Sequence, residues 1–156
     1  MNNKFDLIVI GGGHAGVEAA VAGRRMKLDV ALITLDQEKI GRMSCNPAVG
    51  GIGKTHLARE IDALGGVIAE ATDLSGIQFK TLNKKKGPAV QALRAQTDKN
   101  LYEKTIQSFI NEFGIYVIED EVEDFCEKSN KIISARGKRG EYFGKSFVLT
   151  TGTFLN

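Results

Sequence analysis

Apolar and polar positions at the start of the chain predict a strand, a helix and a second strand. Phe5 to Ile10 is an apolar run interrupted only by Asp6, and its length suits a buried strand. Three glycines follow, and small apolar residues then recur at helical spacing from Val17 to Val21. Leu28 to Leu35 is a second apolar run. This succession predicts a βαβ unit, whose right-handed crossover makes the two strands parallel.

The middle of the chain predicts a loop, a helix and a short strand. Asp36 to Pro47 is polar and ends in proline, which predicts a loop. Apolar residues at helical spacing predict a helix from about Lys54 to Leu64, and the glycine pair at Gly65 and Gly66 ends it. The stretch GIQFKTL, further along the chain, is predicted to be a short strand.

The second half of the chain predicts one long helix and four strands. Asp98 to Phe113 is amphipathic and is closed by Gly114, which predicts a helix. The predicted strands are Ile115 to Ile118, Val122 to Glu127, Ile132 to Arg136 and, as a buried strand, Phe147 to Thr150. Because the sequence stops directly after a core strand, we expect residues 1–156 to be part of a longer protein.

A glycine motif lies where the first strand turns into the first helix. Gly11, Gly13 and Gly16 have the spacing Gly-x-Gly-x-x-Gly. The first glycine permits a tight turn, the second lets a pyrophosphate approach the backbone, and the third lets the helix lie close to the strand. The positive end of the helix then attracts the diphosphate. We predict a dinucleotide site formed by Gly11, Gly12, Gly13, His14, Ala15 and Gly16, with His14 near the phosphates rather than acting as a base.

The identity of the dinucleotide depends on the residues at the end of the second strand. An acid commonly binds the ribose there, and the candidates are Asp36 from the loop or Thr34 together with a backbone group. The hairpin-like insertion from Ile115 to Arg136 favours FAD over NAD, by analogy of fold. The predicted fold class is α/β: a Rossmann-like FAD-binding domain of glutathione-reductase type, with helices on both faces of a parallel sheet and a small antiparallel β insertion.

A second glycine-rich stretch imitates a phosphate-binding loop. AVGGIGKT, from Ala48 to Thr55, differs from a P-loop only by alanine at the first glycine position. A P-loop requires a buried strand before it, and the polar stretch DQEKIGRMSCNP stands there instead. The context therefore disfavours a nucleotide-hydrolysing enzyme.

Composition excludes several classes of protein. The 156 residues are 42% hydrophobic and 26% charged, as in ordinary globular proteins. The longest apolar run, Leu7 to Ile10, is far shorter than the roughly 20 residues of a membrane span. No signal peptide is recognisable, so we expect a cytoplasmic protein that does not bind membranes.

Cysteines, histidines and charges define the remaining candidates. Cys45 and Cys126 are far apart, and His14 and His56 are the only histidines, so no metal site is expected. Cys45 lies in a loop near a helix start, where a thiolate is stabilised, while Cys126 is expected in the core or at a sheet edge. Residues 80–104 carry seven basic against two acidic side chains; they either bind an anionic partner or simply solvate the surface.

Long stretches of the sequence resemble a known family. VIGGGHAGVEAA, IGRMSCNPAVGGIGKTHLAREIDALGG, GIQFKTLNKKKGPAVQALRAQTDKNLY and VLTTGTFL closely resemble the N-terminal part of the GidA/MnmG family of FAD-dependent enzymes that modify the wobble uridine of tRNAs. The resemblance runs from Phe5 to Leu155. The family usually has Gly-Lys-Gly where this sequence has Gly-Lys-Thr, which ends at Thr55. The threonine makes the stretch resemble a P-loop.

The resemblance implies a reaction, cofactors and partners. FAD, with NADH and a methylene-carrying folate as co-substrates, would serve to attach a carboxymethylaminomethyl-type group at C5 of the uridine. The implied partners are tRNA and a GTPase of MnmE type, and the full-length protein is expected to be a homodimer. The resemblance also implies that Cys45 is catalytic and that Val122 contacts the adenine through its backbone. Lys84, Lys85, Lys86 and Arg94 become candidates for binding tRNA phosphates.

Several alternatives remain open from the sequence. A folate- and FAD-dependent tRNA uridine methyltransferase shares the glycine motif, although it should lack SCNPAVGGIGK. An NAD(P)-binding dehydrogenase and a P-loop NTPase are the alternatives from other classes. We expect residues 1–156 to form the N-terminal part of an FAD-binding domain and to lack modification activity on their own.

Overall fold

A computed structural model describes residues 4–43 and 46–152 of the chain. Within these residues, nine strands and four helices follow one another as β1 (Lys4–Ile10), α1 (His14–Arg25), β2 (Val30–Thr34), β3 (Ala48–Gly50), α2 (Lys54–Ala63), α3 (Ile68–Ser75), β4 (Gly76–Leu82), β5 (Ala92–Thr97), α4 (Lys99–Glu112), β6 (Tyr116–Glu119), β7 (Val122–Lys128), β8 (Lys131–Gly137) and β9 (Glu141–Leu149). Short 3₁₀ turns lie at Gln37–Lys39 and Pro88–Val90.

The chain divides into two compact units. One unit combines Met1–Gly41 with Ile110–Asn156, and we call it the terminal unit because both ends of the sequence contribute to it. The other, Arg42–Phe109, is the middle unit. Helix α4 begins in the middle unit and ends in the terminal unit.

The terminal unit contains a six-stranded sheet in the order β6-β2-β1-β9-β8-β7. The pairs β6–β2, β2–β1 and β1–β9 are parallel, whereas β9–β8 and β8–β7 are antiparallel. Ile8 of the central strand lies opposite Ala31 on one side and Phe147 on the other. The predicted α/β class with a parallel sheet is confirmed.

Two details of the strands predicted for the second half of the chain were wrong. Tyr116–Glu119 pairs in parallel with β2, so the antiparallel hairpin comprises only Val122–Lys128 and Lys131–Gly137. The last strand begins at Glu141 rather than Phe147. Its first residues pair with β8, and from Phe143 onward it also pairs with β1. Glu141, Lys145 and Ser146 interrupt the apolar pattern of this strand, although Tyr142 is buried in the hydrophobic cluster.

Helix α1 lies close to the sheet because its inward face is made of small residues. Val17, Ala20 and Val21 are almost fully buried. A Cβ added at Gly23 would come within 2.7 Å of the Leu7 side chain, so the helix could not approach β1 so closely with a larger residue there. Buried side chains of β1, β2, β8 and β9 form a hydrophobic cluster of Phe5, Ile8, Ile10, Ala31, Ile33, Ala135 and Tyr142.

The middle unit combines a three-stranded antiparallel sheet with helices. The strand order is β3-β5-β4. Helix α2 was predicted almost to the residue, and it ends where Gly65, with φ of +87°, donates a hydrogen bond to the carbonyl of Asp62 at 2.8 Å. Helix α3 and strands β3 and β5 were not predicted.

Helix α4 agrees with the predicted range of Asp98 to Phe113 within one residue at each end. Its first turn is capped by Asp98, whose carboxylate accepts a hydrogen bond from the amide of Leu101 at 2.9 Å. Such a cap satisfies one of the amides that a helix leaves without a partner in the helix. Tyr102 and Ile106, one turn apart, are fully buried.

Candidate functional site

In the turn between β1 and α1, glycine occupies the positions where a side chain would either collide with the backbone or fill the open space. Gly11 has φ of +109°, which residues with a Cβ rarely adopt, and a Cβ there would overlap the carbonyl oxygen of Thr150. A Cβ at Gly16 would overlap the carbonyl oxygen of Gly11. A Cβ at Gly13 would meet no described atom within 4 Å. Packing within the protein therefore requires two of the glycines, whereas Gly13 leaves room for another molecule.

Helix α1 begins without a capping side chain. Gly13 occupies the cap position, and its carbonyl accepts a hydrogen bond from the amide of Val17 at 3.0 Å. No acidic residue lies in the first turn, so no carboxylate there offsets the positive end of the helix dipole. The first amides of an α-helix have no acceptor within the helix. The turn is therefore suited to binding an anion such as a phosphate.

Neighbouring segments fix the backbone of this turn. The hydroxyl of Thr150, directly after β9, donates to the carbonyls of Ile10 at 2.9 Å and Gly11 at 3.1 Å. The amide of Gly41 donates to the carbonyl of Gly12 at 2.8 Å. The geometry of the turn is set by these bonds before any ligand binds, which lowers the entropic cost of binding.

Both sequence candidates for a ribose contact lie at the carboxyl end of β2. The carboxylate of Asp36 accepts a hydrogen bond from the amide of Glu38 at 2.9 Å and pairs with Lys39 at 2.6 Å. The hydrogen bond from Lys39 lowers the pKa of Asp36, so the carboxylate is ionised at neutral pH. The hydroxyl of Thr34 donates to the backbone carbonyl of Asp36 at 3.3 Å. Asp36 retains acceptor capacity because a carboxylate offers about four lone pairs.

A cavity of about 140 Å³ opens beside the end of β2. It is lined by Leu35, Glu119, Asp120, Glu121, Lys138 and Arg139. The side chain of Leu35 is 70% exposed, which is unusual for so large an apolar residue at the end of a buried strand. Val122 begins the next strand, and its side chain packs against the hydrophobic cluster. Any ligand contact by Val122 would therefore involve its backbone.

A buried carboxylate holds one wall of this cavity in place. Asp120 is 5% exposed and accepts hydrogen bonds from the hydroxyl of Tyr142 at 2.8 Å and from the amides of Glu121 and Arg139 at 2.8 and 3.1 Å. Burial raises the pKa of Asp120, but these hydrogen bonds outweigh it and the net pKa is lowered. Burial and the bond to Asp120 raise the pKa of Tyr142 to about 12. A Cβ at Gly137 would overlap the carboxylate. This network was not predicted, because its members are distant in the sequence.

The stretch that imitates a P-loop has a different structure in the middle unit. Ala48–Gly50 forms an edge strand that pairs antiparallel with β5, whereas a P-loop follows a buried strand. Gly50, Gly51 and Gly53 have φ of +101°, +128° and +81°. These glycines therefore allow an abrupt turn between β3 and α2.

Thr55 stabilises this turn through its hydroxyl group. It donates to the carbonyl of Leu93, and it also accepts from the amide of Gly51 at 3.0 Å. The residue is 8% exposed. A hydroxyl committed in this way is not presented to a magnesium ion as in a P-loop. Thr55 instead attaches the start of α2 to strand β5.

The three predicted RNA-binding lysines lie on a well-defined turn between β4 and β5. Lys84, Lys85 and Lys86 are exposed. The amide of Lys86 donates to the carbonyl of Asn83 at 2.8 Å. The carboxamide of Gln91 donates to the carbonyl of Lys86 at 3.0 Å and of Lys84 at 3.4 Å. The lysine backbone is thus held in place while the charged ends extend into solvent.

Arg94 lies on the same hairpin, directly opposite Lys80 in the antiparallel register of β4 and β5. Among the described residues, neither side chain takes part in an ion pair. Like charges opposite each other destabilise a sheet, and an anion between them removes that repulsion. Residues 76–97 contain five basic side chains and no acidic one. The hairpin therefore brings the predicted cations together and adds Lys80 to them.

Other predicted features divide between the described and undescribed residues. Cys45 lies outside the described residues. Cys126 lies on the edge strand β7, half-buried, with the guanidinium of Arg136 2.9 Å from its sulfur, in agreement with the prediction of a core or edge position. Within residues 4–43 and 46–152, no three His, Cys, Asp or Glu side chains are grouped to bind a metal. None of the helices described there is long and apolar enough to span a membrane.

Comparison with known proteins identifies close relatives. The family described as "Glucose inhibited division protein A" (GIDA) matches residues 6–156. Two crystal forms of Aquifex aeolicus GidA match with 49% and 50% identity, both with a TM-score of 0.93, over 99% and 98% of this chain. The chain belongs to the GidA family. It spans about a quarter of the GidA structures, 26% of their length in each case.

More distant structures show how widespread the GidA fold is. Glycerol-3-phosphate dehydrogenase from Bacillus halodurans, solved with FAD, matches 98% of this chain and 35% of its own chain at 18% identity and a TM-score of 0.65. At that identity only the fold is shared. The close GidA match confirms the resemblance predicted from the sequence, and it agrees with the Rossmann-like fold of the terminal unit.

Proposed function

We propose that this chain is the FAD-binding portion of a tRNA modification enzyme. The observation that supports this most strongly is the similarity to Aquifex aeolicus GidA, at 49% identity over 99% of the chain. The turn between β1 and α1 supports it independently. That turn combines a helix start without a capping side chain with an open position at Gly13, which are the features a diphosphate needs.

The residues of the terminal unit fit an FAD molecule. Gly11, Gly12, Gly13, His14, Ala15 and Gly16 would hold the diphosphate through their backbone. Asp36, ionised beside Lys39, would accept hydrogen bonds from the ribose hydroxyls. The cavity beside Leu35 and the backbone of Val122 would receive the adenine. The flavin, when bound, supplies redox chemistry, and the residues of the terminal unit position the nucleotide half of the cofactor.

The full-length enzyme would act on the wobble uridine of tRNA. With a GTPase partner of MnmE type, it would add a carboxymethylaminomethyl-type group at C5, using NADH and a methylene-carrying folate as co-substrates. Cys45 would be a catalytic residue. We further propose that residues 1–156 form the N-terminal part of an FAD-binding domain, that the intact protein is a homodimer in the cytoplasm, and that this segment alone lacks modification activity.

The β4–β5 hairpin supports a role in tRNA binding. Lys84, Lys85, Lys86 and Arg94 would bind phosphates, and Lys80 would act with Arg94 across the strands. The hairpin sequence contains five basic residues and no acidic one. This favours binding of a polyanion over simple solvation, because solvation does not require two cations directly opposite each other on paired strands.

Two measurements on the full-length protein test this function. Visible absorption of the purified protein should show bound flavin, and wobble nucleosides from cells lacking the gene should lack the modified uridine when analysed by mass spectrometry. A colourless protein that does not bind added FAD would refute the cofactor assignment. Unchanged wobble nucleosides in the deletion strain would refute the tRNA assignment, even if flavin is bound.

A further inference from the structure

A polar cavity of about 310 Å³ lies between α2 and the tip of the β4–β5 hairpin. It is lined by Thr55, His56, Arg59, Thr81, Pro88, Gln91, Ala92 and Leu93. All of these residues belong to the middle unit. Its volume is at the lower end of the range of about 300 to 1,000 Å³ that is usual for small-ligand sites.

The lining of the cavity favours an anion. His56 and Arg59 are three residues apart on α2, so they lie on the same face of the helix. Thr81 adds a hydroxyl group from β4. No lining residue is a carboxylate, and Arg59 forms no ion pair with any described residue. A guanidinium that lacks a carboxylate partner in a concave site is well suited to bind phosphate in bidentate fashion.

The hydrogen bonds around the cavity define its shape. The hydroxyl of Thr55 is committed to Leu93 and Gly51, so it fixes the floor instead of binding a ligand. Gln91 is held by its two bonds to the carbonyls of the lysine turn. That turn places Lys84, Lys85 and Lys86 next to a residue that lines the cavity. The arrangement therefore combines a fixed polar cavity with exposed cations close by.

The apolar part of the lining limits the class of ligand further. Pro88, Ala92 and Leu93 contribute apolar surface beside the donors. Bare inorganic phosphate would leave that surface exposed to water, whereas the sugar of a nucleotide would cover it. A nucleotide unit thus satisfies both parts of the lining.

We propose that this cavity is a phosphate-binding subsite that receives one nucleotide of a bound RNA strand. Arg59 and His56 bind the phosphate, and the three lysines attract the flanking phosphates. The inference rests on the proposed role in tRNA binding, and it adds residues of α2 to an interface that the sequence placed only on the hairpin. A free mononucleotide carries the same phosphate chemistry and is the other source of ligand to be distinguished.

The test uses the full-length protein and a fluorescein-labelled anticodon stem-loop RNA, with affinity measured by anisotropy at several KCl concentrations. Arg59→Gln should weaken binding about ten- to a hundred-fold, the loss expected for one charge-assisted hydrogen-bonded contact, and reduce the salt slope by roughly one. His56→Gln should weaken it less. Lys131→Gln, which removes an exposed cation from β8 of the terminal unit, is the matched control and should leave affinity and slope unchanged. Unchanged far-UV circular dichroism shows that each variant is folded.

A second arm identifies the source of the phosphate. If the site serves RNA, calorimetric titration with AMP should give the same result for the wild-type protein and for Arg59→Gln. Binding of AMP that is lost in Arg59→Gln, with RNA affinity unaffected, would support the phosphate subsite but assign it to a free nucleotide and overturn the RNA assignment. If Arg59→Gln changes neither ligand while Lys84, Lys85 and Lys86 together prove necessary for RNA binding, the cavity is not a subsite and the proposed function stands. If the wild-type protein binds no RNA, the proposed function fails first.

Discussion

The two units of the chain offer opposite means of binding an anion. The terminal unit carries 11 basic and 13 acidic side chains, a formal net charge of −2, whereas the middle unit carries 10 basic and 6 acidic ones, a net charge of +4. In the terminal unit the proposed anion site consists of neutral backbone amides in the turn from Gly11 to Gly16. In the middle unit the proposed site consists of side-chain cations, five of which lie in residues 76–97, a segment without Asp or Glu.

This difference predicts different kinds of ligand. Amides fixed by the fold bind one phosphate group in one position, and charges that are buried on binding are screened by salt much less than exposed ones. Exposed lysines lose much of their attraction at physiological ionic strength, where the Debye length is about 8 Å, and they suit a long polyanion that is bound and released. A tightly held cofactor in the terminal unit and a transient nucleic acid on the middle unit are therefore what the charges favour.

The largest expected effect comes from blocking the open position in the amide turn. Gly13→Val places a branched side chain where a diphosphate would lie, but no described atom is within 4 Å of its Cβ, so the fold should persist. We expect at least roughly a hundred-fold loss of FAD affinity, since the diphosphate can no longer reach the amides. Flavin absorbance after dialysis against FAD measures the loss.

Two further glycine variants sharpen this result. Gly87→Val is the matched control, because its Cβ is also free of neighbours and it lies in the middle unit; flavin content should not change. Gly16→Val should instead lower the yield of folded protein, because the new side chain overlaps the Gly11 carbonyl. Full flavin occupancy in Gly13→Val would exclude this turn as the diphosphate site.

A smaller effect is expected from the buried carboxylate of the terminal unit. Asp120→Asn should reduce the free energy of unfolding at pH 7 by about 1 to 3 kcal/mol, because hydrogen bonds to a buried charged acceptor are weakened. The pKa of Asp120 is lowered on folding, so its stabilisation is present above the ordinary value of about 3.9 and is lost as pH falls through the folded value. Urea denaturation from pH 3 to 7 should show the difference between wild type and variant narrowing toward acid.

At alkaline pH the same network should produce the opposite pH dependence, with stability falling as pH rises. Folding raises the pKa of Tyr142 to about 12, so the stabilisation by its neutral hydroxyl is complete below the ordinary value of about 10 and is lost as pH rises toward 12. Tyr142→Phe should remove this part of the pH dependence. A variant that keeps the wild-type decline above pH 10 would show that another group is responsible.

Replacing the lysine turn tests the middle unit. Changing Lys84, Lys85 and Lys86 together to alanine should reduce the salt slope of tRNA binding by roughly two to three and weaken binding about ten-fold at low salt, since up to three phosphate contacts are lost. The control changes Lys27, Lys128 and Lys131 of the terminal unit to alanine, which removes the same charge. Equal slopes for the two triple variants would show that net charge, rather than the hairpin, governs binding.

The smallest effect is expected at Thr55. Thr55→Val keeps the volume but removes the hydroxyl that joins Leu93 to Gly51, and it should destabilise the middle unit by about 1 kcal/mol. Thr55→Ser should retain most of the stability. Thermal unfolding followed by circular dichroism compares them, and equal midpoints for the valine and serine variants would show that the hydroxyl bonds contribute nothing.

The sequence predicted the terminal unit better than the middle unit for a physical reason. Strands such as Phe5 to Ile10 are buried on both faces and read as continuous apolar runs. Strand β5, ALRAQT, has only one large apolar residue and carries an arginine near its centre. It forms a strand because the strands on both sides pair with it. Helix α3 has only eight residues and no capping side chain. Such elements depend on tertiary contacts that no local pattern reveals.

The candidate sites were also only partly predictable, since the glycine turn was predicted and the cavity beside α2 was not. The glycine spacing predicts the turn because Gly11 and Gly16 lie where a side chain would overlap backbone atoms, while Gly13 lies where the turn is open. The cavity of His56 and Arg59 was not predicted, because it forms only when α2 lies beside the hairpin more than 20 residues later in the sequence. The pairing of Lys80 with Arg94 likewise depends on strand register, which the sequence left undetermined.

The structure of the full-length protein crystallised with FAD tests the central claim most directly. We predict that the diphosphate oxygens lie within hydrogen-bonding distance of the first backbone amides of α1, over the open face of Gly13. A diphosphate bound instead at Lys54 and Thr55, with the turn at Gly11 to Gly16 unoccupied, would contradict this assignment.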